Sequence, residues 1–157
     1  MTVYTTKPAI NLREELASLR NQGGYSEQQF YFDGLVTNGT FDADTNWTKG
    51  TGWTIGTGVA SFAGGGTATL SQNVGLVKGT AYQLAYTVSG RTAGTIYPVL
   101  GGDVNGTTRT SNGTFTQVIV SGSNANLYFQ PDTNFDGSID NVSVYETDGT
   151  DVVHRMP

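Results

Sequence analysis

At 157 residues the chain is long enough for one domain with a real core and too short for two ordinary ones. A net charge of −5, with only 13% charged residues and no basic patch to neutralise phosphates, argues against a nucleic-acid partner. The absence of cysteine excludes a disulfide framework and any thiolate chemistry, and no apolar run is long enough to cross a bilayer.

The 22 glycines and the many Thr, Ser and Asn residues point to a turn-rich all-β domain with an uncharged polar surface. Aromatic residues at 11% argue against disorder. The N-terminus lacks the charged-then-apolar pattern of a secretion signal.

Residues 1–10 read as an extended arm directed by Pro8. Asn11 then caps a short helix, with Glu14 completing a capping box, and Gly23-Gly24 ends it. Leu12, Leu16 and Leu19 recur at helical spacing, and an isolated helix this short needs a surface to pack on. Residues 25–34 add Tyr25, Phe30, Tyr31 and Phe32. Two readings stay open: the segment covers one end of its own sandwich, or it docks on another protein chain, a second copy included. In the second, Leu12, Leu16, Leu19, Phe30 and Phe32 are the partner-anchoring side chains.

From residue 35 the pattern is of short strands, predicted at 35–37, 52–55, 59–62, 68–74, 81–89, 95–100, 103–110, 114–120, 125–130 and 138–146. Asn105-Gly106 and Asn112-Gly113 are predicted hairpin turns. Gly64-Gly65-Gly66 is a turn and not a phosphate loop, because no helix follows it. The final strand carries Ile139, Val142 and Val144, with Asp140 among them, where a carboxylate is costly unless something binds it. Its expected mate is the stretch 35–42, so that an early segment closes the sandwich against the last. Residues 147–157 form a tail with no predicted element.

Leu-Val-Thr-Asn-Gly-Thr-Phe-Asp at 35–42, Trp47, Gly-Trp at 52–53, Tyr82 with its alternating partners, and Gly-Ser-Ile-Asp-Asn-Val-Ser-Val at 137–144 together resemble carbohydrate-binding-module jelly rolls. The resemblance implies a two-sheet jelly-roll β-sandwich at 35–146, preceded by the arm and helix of an anchoring segment at 1–34. It also implies one structural calcium between the first and last strands, with Asp42 and Asp140 as ligands beside backbone carbonyls. Asp42 stands where the family has glutamate, a shorter reach. Lys-Pro-Ala-Ile-Asn-Leu-Arg-Glu-Glu-Leu at 7–16 is similar to the leaders of tailed-phage structural proteins.

These resemblances imply a non-enzymatic bacteriophage virion protein, a capsid decoration or head-fibre subunit. Its expected partners are the major capsid protein or fibre and tail subunits, further copies of itself, and weakly held surface glycans. The alternatives are a glycan-binding module of a host-recognition tail protein and a tail or neck adaptor.

For glycan contact the candidates are Arg91, Tyr97 and Tyr128, while Trp47 and Trp53 fall where the family places core residues. Asp132, Asn134, Asp136 and Gly137 match half of an EF-hand loop, but Ser143 stands where its glutamate should be and strand follows where a helix is needed. A tight Asx-rich turn fits better. The sole histidine, His154, lies in the tail, and Asp103, Asp132 and Asp136 show no spacing that pairs two as glycosidase carboxylates.

Overall fold

The computed structural model describes residues 34–147. They form β1 (Thr48–Lys49), β2 (Trp53–Gly56), β3 (Val59–Ala63), β4 (Leu70–Asn73), β5 (Ala81–Ala93), β6 (Ile96–Leu100), β7 (Val104–Asn105), β8 (Gly113–Val120), β9 (Asn126–Pro131) and β10 (Asp136–Glu146). Two antiparallel five-stranded sheets result, ordered β1-β4-β9-β6-β7 and β2-β3-β10-β5-β8, an all-β jelly-roll sandwich.

Period-two patterning explains the longest strands. Along β5, Tyr82, Leu84, Tyr86 and Val88 are buried while Gln83, Ala85, Thr87 and Ser89 turn outward. Leu127 and Phe129 do the same for β9 in the opposite sheet, and the Tyr86 and Phe129 rings meet edge-on across the sandwich at 5.1 Å. Trp47, Trp53, Phe41, Phe62 and Phe135 complete an aromatic-rich core. Both indoles are satisfied there, Trp47 Nε1 donating to the Asn38 carbonyl at 3.0 Å and Trp53 Nε1 to the Ala68 carbonyl at 2.7 Å.

The last strand breaks its own alternation. Between Asp140 and Ser143 the pairing of β10 with β5 shifts register, and Asn141 takes a positive φ of 51°. This bulge resets the parity, so that Ile139, Val142 and Val144 all point inward while Asp140 stays on the outer side. The mate of this half of β10 is the segment predicted for it: Leu35 N–H donates to the Val144 carbonyl and Val142 N–H to the Gly39 carbonyl, each at 2.9 Å.

That segment is nevertheless no strand. Positive φ at Asn38 and Phe41 coils it into a turn, and the side chain of Gln72 clasps it by bonding both the N–H and the carbonyl of Thr37. The predicted strand 103–110 shrinks to Val104–Asn105, beyond which Arg109 touches β6 only through a bridge to Ile96. Neither Asn-Gly pair closes a hairpin. Asn105 pairs with Val99 inside its sheet, and Asn112 precedes a crossing to the other sheet, where its side chain accepts the Arg91 N–H. The predicted helix, with Leu12, Leu16, Leu19, Phe30 and Phe32, and the tail with His154 lie outside the described residues.

Candidate functional site

Strands β4, β9 and β6 contain no ionisable acid or base other than tyrosine, and their outward residues make an uncharged face. Tyr128 stands outward on β9 between buried Leu127 and Phe129, and Tyr97 stands outward on β6 between buried Ile96 and Pro98. In the register of the two strands Tyr97 opposes Gln130 and Tyr128 opposes Val99, so the two tyrosines are diagonal neighbours on one face. On the other side Tyr128 opposes Ser71 and Asn126 opposes Asn73.

The Tyr128 hydroxyl accepts hydrogen bonds from the side-chain amides of Asn126 at 2.9 Å and Asn124 at 3.3 Å, which fixes the ring and leaves its O–H as a donor. Gln130 is held in turn by the carbonyls of Thr67 and Pro131. Chemically the face offers two half-buried rings ringed by amides and hydroxyls, which suits a neutral polar ligand with an apolar flank. Asn126 and Gln130 escaped the sequence reading. Their signal was there, in the alternation of Asn126-Leu127-Tyr128-Phe129-Gln130.

Arg91, the third glycan candidate, belongs to the other sheet. Its N–H donates to Asn112 Oδ1 at 2.8 Å, and its Nε donates to the Gly94 carbonyl at 2.7 Å, bracing the corner where the chain leaves β5 for β6. The outer side of that sheet carries a shallow depression of about 230 Å³ lined by Thr54, Ser61, Asp136 and Ser138 with the glycines 52, 90 and 137. Its floor hydroxyls bond to each other, Ser61 to Ser138 at 2.7 Å, and Asp136 accepts from Thr92 at 2.7 Å.

The acidic candidates serve turns. Asp132 Oδ1 accepts the Asn134 N–H at 2.9 Å, an Asx turn, and Oδ2 accepts the Thr95 hydroxyl at 3.0 Å. Burial pushes this carboxyl up, but hydrogen bonds from Thr95, Asn134 and Phe135 outweigh it and hold its pKa below the usual value. The segment continues as β10, as the Asx-turn reading requires. Asp103 accepts the Ser123 N–H at 3.0 Å.

Asp42 and Asp140 flank the contact between the first segment and the bulge of β10. Each already has a donor: Thr40 Oγ1 bonds Asp42 at 2.7 Å, and the Asn141 N–H bonds Asp140 at 2.6 Å with its side-chain amide adding a second contact. Among the described residues no three carboxylates or imidazoles gather. Calcium seeks six to eight oxygens, and two engaged carboxylates do not fit that shell.

Between the sheets, Tyr86 Oη, Arg109 Nε and Gln117 Nε2 are buried without hydrogen-bond partners, and the Arg109 guanidinium lies 4.3 Å over the Phe115 ring. Burial raises the Tyr86 pKa, and the neighbouring Arg109 offsets part of that rise.

No family model matches the chain, and no curated protein matches it. Solved structures do. The enzymatically active domain of bacteriophage CBA120 tailspike protein 4 aligns with 73% of this chain at 20% identity and a TM-score of 0.51, over 21% of its own length. The N-terminal cellulose-binding domain of Cellulomonas fimi β-1,4-glucanase C aligns with 74% of this chain and 98% of its own, at 16% identity and a TM-score of 0.50. The chain shares their fold, a carbohydrate-binding-module-like jelly roll. It spans about a fifth of the tailspike domain.

Proposed function

We propose that the sandwich is a non-catalytic glycan-binding module whose working face is built on β4, β9 and β6. The observation that carries this reading is the pair Tyr97 and Tyr128, set diagonally on an uncharged sheet face with the second ring pinned by Asn124 and Asn126. Rings held at fixed positions present an apolar platform to the C–H face of a sugar, and the surrounding amides take its hydroxyls. Fixing the ring beforehand lowers the ordering cost of binding. The shared fold with a cellulose-binding domain supports the same reading.

The test is affinity electrophoresis and calorimetry of the full chain against soluble neutral polysaccharides, hydroxyethylcellulose and xylan, beside a bacterial surface polysaccharide. One of them is expected to bind, and Tyr97→Ala and Tyr128→Ala are each expected to weaken it about tenfold, near 1.4 kcal/mol. An affinity indifferent to both substitutions, or no binding to any of the three, would reject this face.

A second reading concerns where the module works. The tailspike likeness supports a bacteriophage virion protein, with residues 1–34 as anchor and the sandwich facing outward as capsid decoration, head fibre or tail component. Deleting residues 1–33 should then abolish incorporation into particles while leaving glycan affinity intact. Normal incorporation of the truncated chain would argue against that anchor.

A further inference from the structure

The four sheet edges of the sandwich are unequal. β1 and β7 are two residues long, β1 carries Lys49, and β2 stops after four residues at the Thr57-Gly58 turn. β8 is different. It runs for eight residues, Gly-Thr-Phe-Thr-Gln-Val-Ile-Val, and among the described residues it has a neighbour, β5, on one side only.

Sheet edges present unpaired N–H and C=O groups, and proteins guard them with shortness, charge, proline or bulges. β8 has none of these. From Ser111 to Ala125 the chain carries no ionisable residue and no proline. Its outward side chains are Thr114, Thr116, Val118 and Val120, the two valines 52% and 53% exposed. They continue an apolar patch across the sheet, since Val118 opposes Gln83, which opposes Tyr145, and Val120 opposes Ala81.

We propose that β8 is a self-association edge, pairing antiparallel with β8 of a second copy to join two five-stranded sheets into one of ten. Charge selects a copy as the occupant. Each chain carries −5, so two copies approach best through a surface free of charge, and this strand with both its flanks is such a surface. A partner of opposite charge would find nothing here to complement. Geometry agrees: in an antiparallel pair, residues directly opposite share a face, so a two-fold axis near Gln117 sets the Thr116–Val120 rows of both copies side by side.

The size of the contact sets its strength. An eight-residue strand is about 27 Å long, and one such edge buries less than the roughly 800 Å² per partner of a standard interface. The dimer is therefore weak, concentration-dependent, and useful where copies are already held together.

The test is sedentary mass measurement, light scattering and sedimentation equilibrium on the full chain over a wide concentration range. Val118→Lys places a charge in the centre of the edge at an exposed position, with Thr54→Lys on β2 as the control at the opposite edge of the same sheet. Self-association is expected, weakened at least tenfold by Val118→Lys and unchanged by Thr54→Lys, with thermal unfolding confirming that both variants fold. An assembly indifferent to Val118→Lys would overturn the proposal. So would a monomer at every concentration, and slow exchange of the β8 amides in that monomer would show that another segment of the same chain covers the edge.

Discussion

A β-carbon placed on Gly39 would lie 2.0 Å from the carbonyl oxygen of Val142, whose N–H donates to the Gly39 carbonyl at 2.9 Å. The early turn thus rests its backbone directly on the bulge of the last strand, with no room for a side chain between them. Gly39→Ala is expected to cost about 3 kcal/mol or more, since neither partner is a flexible side-chain end. Gly56→Ala, with open space at its β-carbon, should stay within about 1 kcal/mol. Urea midpoints for the two variants, at unchanged slope, make the comparison.

The Gly39–Val142 contact also shows what the sequence disclosed. The match of 35–42 to 137–144 was legible because both stretches carry a recognisable pattern, and the structure joins them through Leu35 and Gly39. Their local shape was hidden. Whether Asn38 and Phe41 adopt positive φ depends on what holds them, here Gln72 from a strand far along the chain. The bulge at Asn141 was hidden too, because Ile139 and Val142 break a period of two and the break has no local signature. β1 was missed because two exposed residues, Thr48 and Lys49, show no alternation. Of the glycan candidates, strand parity placed Tyr97 and Tyr128 together. Arg91 fell to the other sheet because sequence distance says nothing of which sheet a strand joins.

Asp132 links the β9–β10 turn to pH. Its folded pKa lies below the ordinary 3.8, so its stabilisation is fully present above that value and is lost as pH falls through the lowered folded value. Asp132→Asn cannot carry the charge that Thr95 and Asn134 favour. The melting temperatures of the two proteins should therefore differ most near neutral pH and converge below about pH 3. A gap that stays constant across that range would mean that the carboxylate charge contributes nothing to the turn.

Calcium at Asp42 and Asp140 makes a sharp thermal prediction. A site filled at a hundred times its dissociation constant would add about 2.7 kcal/mol, several degrees of melting temperature for a domain of this size. With Thr40 and Asn141 already occupying these carboxylates, EDTA and added calcium are expected to shift the melting temperature by less than about 1 °C at constant ionic strength. A calcium-specific rise of several degrees, absent with magnesium and lost in Asp140→Asn, would restore the metal and require the two side chains to turn toward it.

Tyr86 makes the opposite kind of prediction, a deletion that costs nothing. Its ring is core, meeting Phe129 at 5.1 Å and Phe115 at 5.9 Å, yet its hydroxyl is buried without a hydrogen-bond partner beside the Arg109 side chain. An unpaired buried hydroxyl carries a desolvation penalty of about 1–3 kcal/mol, and Tyr86→Phe removes it while keeping the ring contacts. The variant should be as stable as the parent or more so, by up to about 1 kcal/mol in urea unfolding. Tyr86→Leu, which keeps apolar volume but loses the edge-on packing with Phe129, should be destabilised by about 1–3 kcal/mol. A marked loss in Tyr86→Phe would instead mean that the hydroxyl is bonded in solution, with Arg109 as the nearest donor, and that the two sheets are pinned by a polar contact as well as by their rings.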